Sequence, residues 1–124
     1  MSPAAAPWFD KAEHDFASAG WELQASAPNN YDLVCFLSQQ CVEKLLKAVL
    51  TDRSISFPLT HDLEQLGKLV ALSVPGWIAP LADLALLQPG AVLARYPGWS
   101  AKAQDAADFY AACQRLRSVI LPLL

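Results

Sequence analysis

Charged side chains are scarce in this sequence of 124 residues: they make up 17% of it, whereas hydrophobic residues make up 54%. Nine lysines and arginines stand against twelve aspartates and glutamates, which leaves a net charge of −3. Because domains that grip a phosphate backbone usually carry an excess of positive charge, this composition disfavours non-specific nucleic-acid binding. The surplus of apolar residues predicts an apolar surface for a protein partner.

Cysteine is also sparse. Cys35, Cys41 and Cys113 are odd in number and form no Cys-x-x-Cys pair, which argues against a disulfide framework and a zinc knuckle.

Residues 1–7 lack the features of a signal peptide, and no run approaches the roughly 18 apolar residues of a membrane span. We therefore expect a cytoplasmic protein with no membrane contact, no metal and no cofactor.

Alternating strand patterns, internal repeats and low-complexity tracts are absent, and the apolar residues follow helical spacing instead. Helices are predicted over residues 8–25, 31–52, 60–72 and 77–88, and a last helix begins after an N-cap at Ser100 and ends before Pro122. The sequence thus predicts one all-α domain over residues 1–124, an up-and-down bundle of four to five helices with a frayed segment at residues 1–7.

Turn residues and tryptophans add detail to this bundle. Pro28, Asn29 and Asn30 predict the turn that starts the second helix, and Thr60 is the expected N-cap of the third. The segment from 81 to 87 is apolar nearly all round, which predicts cover by protein on several sides or by a second subunit. At least one tryptophan is expected at a subunit contact, and a core role is equally compatible with each: Trp8, Trp21, Trp77 and Trp99.

Three short blocks follow one another along the chain: a helix over residues 37–50 that reads Gln, two residues, Glu-Lys, two leucines and Lys; a Thr-His-Asp-Leu helix start within 58–63; and an Arg-Tyr-Pro loop at 95–97. This order resembles the HEPN domain family. The resemblance implies a helical bundle related to the C-terminal domain of kanamycin nucleotidyltransferase. It also implies a domain that often dimerises and is often encoded with a small nucleotidyltransferase subunit.

Other members of the HEPN family are RNA-cutting toxins, whose catalytic motif is an Arg followed by four to six residues and a His on a late helix. This sequence has two histidines, His14 and His61. Arg53 precedes His61 by too many residues, and no His follows Arg115 or Arg117. A ribonuclease of the usual HEPN type is therefore not expected, because general acid–base chemistry lacks its histidine.

Candidate site residues fall on the second helix and in two loops. Gln40, Glu43, Lys44 and Lys47 predict either a polar site for a nucleotide or partner loop, or an ion pair on a solvated helix face.

The loop candidates are His61 with Asp62, and Arg95 with Tyr96. His61 either binds a phosphate at the helix start or ties the loop to a neighbouring helix; the acidic first turn favours the structural role. Arg95 and Tyr96 either recognise a carboxylate or phosphate, or pin the loop through an Arg95–Glu43 pair.

The first functional hypothesis is a non-catalytic HEPN-like module that homodimerises and associates with a nucleotidyltransferase partner, contributing to nucleotide binding. The alternative is a HEPN-type toxin ribonuclease with an atypical site built from Arg95, Tyr96 and His61. A third hypothesis is nucleotide binding beside Glu43, Lys44 and Lys47 without catalysis, although the sequence has no glycine-rich phosphate loop.

Overall fold

The computed structural model describes residues 1–27 and 29–124, so Pro28 of the predicted turn lies outside the described residues. The described residues contain helices and no strand, which confirms the all-α helical bundle. The helices are α1 (Ala6–Gln24), α2 (Tyr31–Asp52), α3 (Leu63–Ser73), α4 (Leu81–Leu87), the single-turn α5 (Gly90–Leu93) and α6 (Ala103–Ile120), followed by a 3₁₀ turn at Leu121–Leu123.

The second helix is the centre of the bundle. It packs against α1, α3, α5 and α6, and most of its residues are buried. Small side chains let α1 approach it closely, because Ala12 and Ala19 are completely buried on the α1 side. Leucines and valines of α2 meet Leu116 and Ile120 of α6 in the same core. Helices α1, α3, α5 and α6 are therefore positioned relative to α2, whereas α4 packs mainly against α6 and α3.

Helix starts are set by side-chain caps. Asn30 Oδ1 accepts a hydrogen bond from the Leu33 N–H at 3.0 Å, which fixes the start of α2 at the predicted place. Asp62, and not Thr60, caps α3 by accepting from the Gln65 N–H at 3.1 Å. Thr60 instead bonds the Asp62 N–H at 3.1 Å, so the helix begins two residues later than an N-cap at Thr60 would place it.

The last helix also begins later than predicted. Asp105 accepts from the Lys102 N–H at 2.8 Å, so Lys102 takes the N-cap position and Ser100 stays outside the helix. A carboxylate in the first turn stabilises the helix N-terminus through the dipole. The prediction of Ser100 as N-cap is wrong because the Asp105 carboxylate fixes the N-cap two residues further on, at Lys102.

The N-terminal segment differs from the predicted frayed start. Helix α1 begins at Ala6, Ala5 is completely buried, and the Ser2 N–H donates to Asp52 Oδ1 at 2.5 Å. This backbone hydrogen bond lowers the pKa of the Asp52 carboxyl. The start of α1 is therefore tied to the end of α2, a contact between residues 50 positions apart that local composition does not reveal.

The fourth predicted helix is shorter than expected and is followed by a separate turn of helix. Residues 77–80 are not helical, and Pro89 separates α4 from α5. Leu84 and Leu87 are buried, whereas Leu81 is about half exposed. The apolar segment is therefore covered on one side of α4, not all round. No helix in the described ranges is both long and apolar enough to cross a membrane.

Candidate functional site

A carboxylate buried on α2 organises the polar centre of the molecule. Glu43 is 3% exposed and has three side-chain partners. Its Oε2 accepts from Lys47 Nζ at 3.1 Å, and its Oε1 lies 2.9 Å from His61 Nδ1 and 3.3 Å from Gln39 Nε2. Burial of an ion costs several kcal/mol unless it is paired and hydrogen-bonded, and these contacts meet that requirement.

The lysine of this pair is enclosed by aromatic rings. Lys47 is 6% exposed, and its Nζ lies 5.4 Å from the ring centroid of Trp8 and 5.9 Å from that of Phe57. The two rings meet edge to face at 6.3 Å. An ammonium over aromatic faces gains cation–π attraction. The expectation of a solvated ion pair is therefore wrong for Glu43 and Lys47, because α1 and the α2–α3 connector cover them.

The connector after α2 is held to this cluster through His61. The His61 carbonyl accepts from Gln39 Nε2 and from Gln88 Nε2, each at 3.2 Å, while its ring contacts Glu43. Gln88 also accepts from the Leu63 N–H at 2.7 Å, which links the start of α3 to the end of α4. His61 thus joins α2, α3 and the residue after α4.

The orientation of the imidazole leaves one nitrogen outward. Its Nδ1 faces Glu43, and the side chain is 62% exposed. Chemically, a carboxylate that engages Nδ1 sets the tautomer and leaves Nε2 available to solvent. The described residues contain no group of three or more ligating side chains that could hold a metal ion around it.

The remaining candidates of the polar flank lie around the cluster. Gln40 donates to Gln39 Oε1 at 2.8 Å, whereas Lys44 points to α1 and pairs with Asp15 at 2.5 Å. Asp62 is exposed and acts as the N-cap of α3. The structure therefore brings Gln40, Glu43, Lys47 and His61 together, and gives Lys44 and Asp62 other partners.

Sequence reasoning missed two glutamines and two aromatic residues in this cluster. Gln39 occupies a completely buried position of α2, one helical turn from the buried Cys35 and Val42, and a polar residue on a buried stripe is a usable signal. Gln88, Trp8 and Phe57 carry no comparable signal, because their contacts with His61 and Lys47 depend on how distant segments pack.

Arg95 and Tyr96 lie elsewhere. The Arg95 guanidinium stacks on the Phe36 ring, 5.0 Å from its centroid, and does not pair with Glu43 as expected. Phe36 and Glu43 are seven residues apart on α2, about 10 Å along the axis at the usual rise. Tyr96 is 61% exposed. A groove of about 300 Å³ runs beside this stack.

The arginines of α6 are both engaged in ion pairs. Arg115 makes two hydrogen bonds to Asp83 of α4, at 3.0 and 2.9 Å, and Arg117 makes two to Glu13 of α1, at 2.9 and 2.6 Å. These hydrogen bonds raise the pKa of each guanidinium. Both side chains therefore hold neighbouring helices to α6.

Comparison with known proteins shows which family has this architecture. No curated protein matches the chain significantly. A crystal structure of an archaeal HEPN homologue has the same fold, with a TM-score of 0.72 and 24% sequence identity over 100% of both chains. The family model of the HEPN domain matches residues 5–122. Since that match covers nearly the whole sequence, the chain belongs to the HEPN domain family.

Proposed function

We propose that this chain is a non-catalytic HEPN module that forms a homodimer and associates with a nucleotidyltransferase partner. The observation that carries the proposal is a set of exposed apolar side chains on α3, on the segment between α3 and α4, on α4 and near the end of α6; α4 packs against both α3 and α6. We call this set the α3–α4 face and define it by four residues: Leu72, Ile78, Leu81 and Val119. Their exposed fractions are 85%, 86%, 45% and 41%.

A fixed backbone presents this face. The indole Nε1 of Trp77 donates to the Val119 carbonyl at 3.1 Å, so the segment between α3 and α4 is attached to the end of α6. The Arg115–Asp83 pair holds α4 to the same helix. A surface whose backbone is already ordered loses little conformational entropy when it associates, which favours a stable contact.

The size of the molecule is compatible with a dimer of this kind. A standard stable interface buries about 800 Å² on each partner. That is roughly an eighth of the 6534 Å² surface of the chain. Exposed Leu, Ile and Val side chains on neighbouring segments are typical of a surface that is covered in the assembly.

The contacts of α6 support the non-catalytic part of the proposal. Arg115 and Arg117 are occupied by carboxylates, and α6 carries no histidine to act as an acid or base. His61 and Arg95 lie against different turns of α2. An atypical ribonuclease built from Arg95, Tyr96 and His61 would have to bridge that separation.

We do not extend the proposal to a nucleotide held by Glu43, Lys44 and Lys47. Glu43 and Lys47 are buried under Trp8 and Phe57, and Lys44 is paired with Asp15. A phosphate reaching these lysines would displace a carboxylate from each of them. The nucleotide chemistry of the proposal therefore lies in the partner.

Two experiments test the partner and the absence of catalysis. Affinity purification of the tagged chain from its native cells at low salt, followed by mass spectrometry, should recover a small nucleotidyltransferase. Recovery of the chain alone would contradict the proposed association with a nucleotidyltransferase.

The absence of catalysis is tested with RNA. Pure protein incubated with structured and unstructured RNA across pH values should leave both RNAs intact. Cleavage that is lost in His61→Ala would contradict the non-catalytic assignment.

A further inference from the structure

The structure carries a second exposed surface, on the opposite end of α2 from the buried Glu43–Lys47 pair. Helix α5 presses closely against α2, because a Cβ on Gly90 would lie 2.7 Å from the Cys35 carbonyl oxygen, and Ala91 is 4% exposed. The rest of this turn faces outward: Val92 is 53% exposed and Leu93 is 36% exposed. The α5 turn thus has one buried side and one apolar side that is partly exposed.

A groove adjoins these side chains. Its volume is about 300 Å³, and its lining residues are Asn30, Asp32, Leu33, Phe36, Ala94 and Arg95. A second depression of about 310 Å³ shares Asn30 and Asp32 with it and reaches Ala101. We call the two adjoining depressions the cleft; Leu33, Phe36 and Ala94 lie only in the first, and the second is lined mainly by polar residues.

Arg95 is the one cation among the described residues that line this cleft. Its guanidinium lies over the Phe36 ring, 5.0 Å from the centroid, and no carboxylate or carbonyl of the described residues accepts a hydrogen bond from it. Arg115 and Arg117, by contrast, each have a two-point carboxylate partner. A guanidinium that is oriented by an aromatic ring and has its N–H groups free is preorganised to bind a carboxylate through two parallel hydrogen bonds.

The other end of the cleft favours hydrogen-bond donors, whereas Arg95 favours a carboxylate. Asp32 Oδ1 accepts from the Ala101 N–H at 2.6 Å, and Asp105 accepts from the Lys102 N–H one residue further. The Asp32 carboxylate repels a phosphate placed beside it. A nucleotide or an RNA strand therefore fits poorly, whereas a ligand with N–H donors at this end fits well.

We propose that this cleft binds a partner segment whose apolar side chains cover Leu33, Val92 and Leu93 and whose carboxylate side chain pairs with Arg95. A polypeptide supplies all three required features: a carboxylate, apolar side chains and backbone N–H donors. The exposed apolar residues extend beyond the cleft along α5, which favours a chain of several residues over a small molecule. The inference does not depend on the proposed homodimer, which uses the α3–α4 face.

The test is fluorescence anisotropy of the full chain with labelled, capped peptides. One peptide carries a single glutamate among leucine and serine residues, and its matched control carries glutamine at that position. The glutamate peptide should bind, and loss of its charge should weaken binding by about tenfold or more, as for a charge-assisted hydrogen bond. Arg95→Gln should weaken it to a similar degree, and the exposed arginine control Arg53→Gln should not.

A charge swap keeps the test independent of general effects on the fold. Arg95→Glu should no longer bind the glutamate peptide and should bind a peptide that carries a single lysine in place of the glutamate, whereas the unaltered chain should not bind the lysine peptide. Equal binding of the glutamate and glutamine peptides, no binding of either, or displacement of the peptide by guanosine monophosphate or single-stranded RNA would each overturn the proposal. Ile78→Ser alters only the α3–α4 face and should bind the peptide as the unaltered chain does.

Discussion

At the scale of single residues, the Glu43–Lys47 pair sets the energetic character of the centre of the molecule. Both groups are almost fully buried, so each depends on the other. Removing one partner leaves an uncompensated charge in a low-dielectric environment. Glu43→Gln should therefore lower the free energy of unfolding by about 3 kcal/mol, measured by urea denaturation.

Replacing both charges separates the cost of an unpaired charge from the cost of altered packing. The double variant Glu43→Leu with Lys47→Met should recover most of the stability that Glu43→Gln loses, since a buried ion pair is often no better than an apolar pair of similar volume. A double variant as unstable as the single one would show that packing, not charge, limits this site.

Ser38 differs from Glu43 and Lys47, because its buried polar group is not paired. It is completely buried in α2, and its hydroxyl has no hydrogen-bond partner among the described residues. An unsatisfied buried polar group costs roughly 1–3 kcal/mol. We therefore expect Ser38→Ala to raise stability by about 1 kcal/mol, seen as a higher Tm in calorimetry. A lower Tm would indicate that the hydroxyl has a partner in solution.

The three cysteines should not react with thiol reagents in the folded chain. All are fully buried. Burial, with the Asp105 and Asp32 carboxylates, raises the pKa of Cys35 to about 12, and a hydrogen bond with Cys113, together with burial, raises the pKa of Cys41. For Cys35 and Cys41 the raised pKa means that little thiolate exists at pH 8, and complete burial keeps a reagent away from Cys113. An aromatic disulfide reagent should label none of the three in native protein and all three in urea; rapid native labelling would contradict this.

At the scale of elements, the close contact of α5 with α2 depends on Gly90. A Cβ there would lie 2.7 Å from the Cys35 carbonyl, 3.1 Å from Phe109 and 3.2 Å from Gln39, so backbone and core would have to shift. Gly90→Ala should cost about 1–3 kcal/mol by overpacking. Gly98→Ala is the matched control, because a Cβ at Gly98 meets nothing within 4 Å. Equal stability of both variants would contradict the packing argument.

Some elements were predictable from the sequence for local reasons. The start of α2 follows from the Asn30 cap, and its length follows from an uninterrupted helical run up to Asp52. The start of α4 was not predictable in the same way. Trp77 is kept out of the helix, with its indole bonded to the Val119 carbonyl, 42 residues away. Local periodicity contains no information about such a contact.

At the scale of the whole molecule, some features of the candidate site also follow from local sequence, and others depend on contacts between distant segments. Helical spacing correctly places Glu43 and Lys47 on one flank of α2. Their burial depends on Trp8 from α1 and Phe57 from the connector, and the stacking of Arg95 on Phe36 depends on how α5 docks. Residue identity therefore predicts which side chains can pair, and only the packed structure determines which of them remain free for a partner.

The most direct measurement of the central claim is the molar mass of the chain in solution by light scattering at micromolar concentration. The account predicts about twice the 13.5 kDa mass of one chain. It further predicts that Ile78→Ser, which removes an 86% exposed side chain of the α3–α4 face, shifts the mass towards one chain. Leu59→Ser, at the fully exposed Leu59 of the connector, should leave the dimer intact. A clean monomer, or equal loss in both variants, would contradict the account.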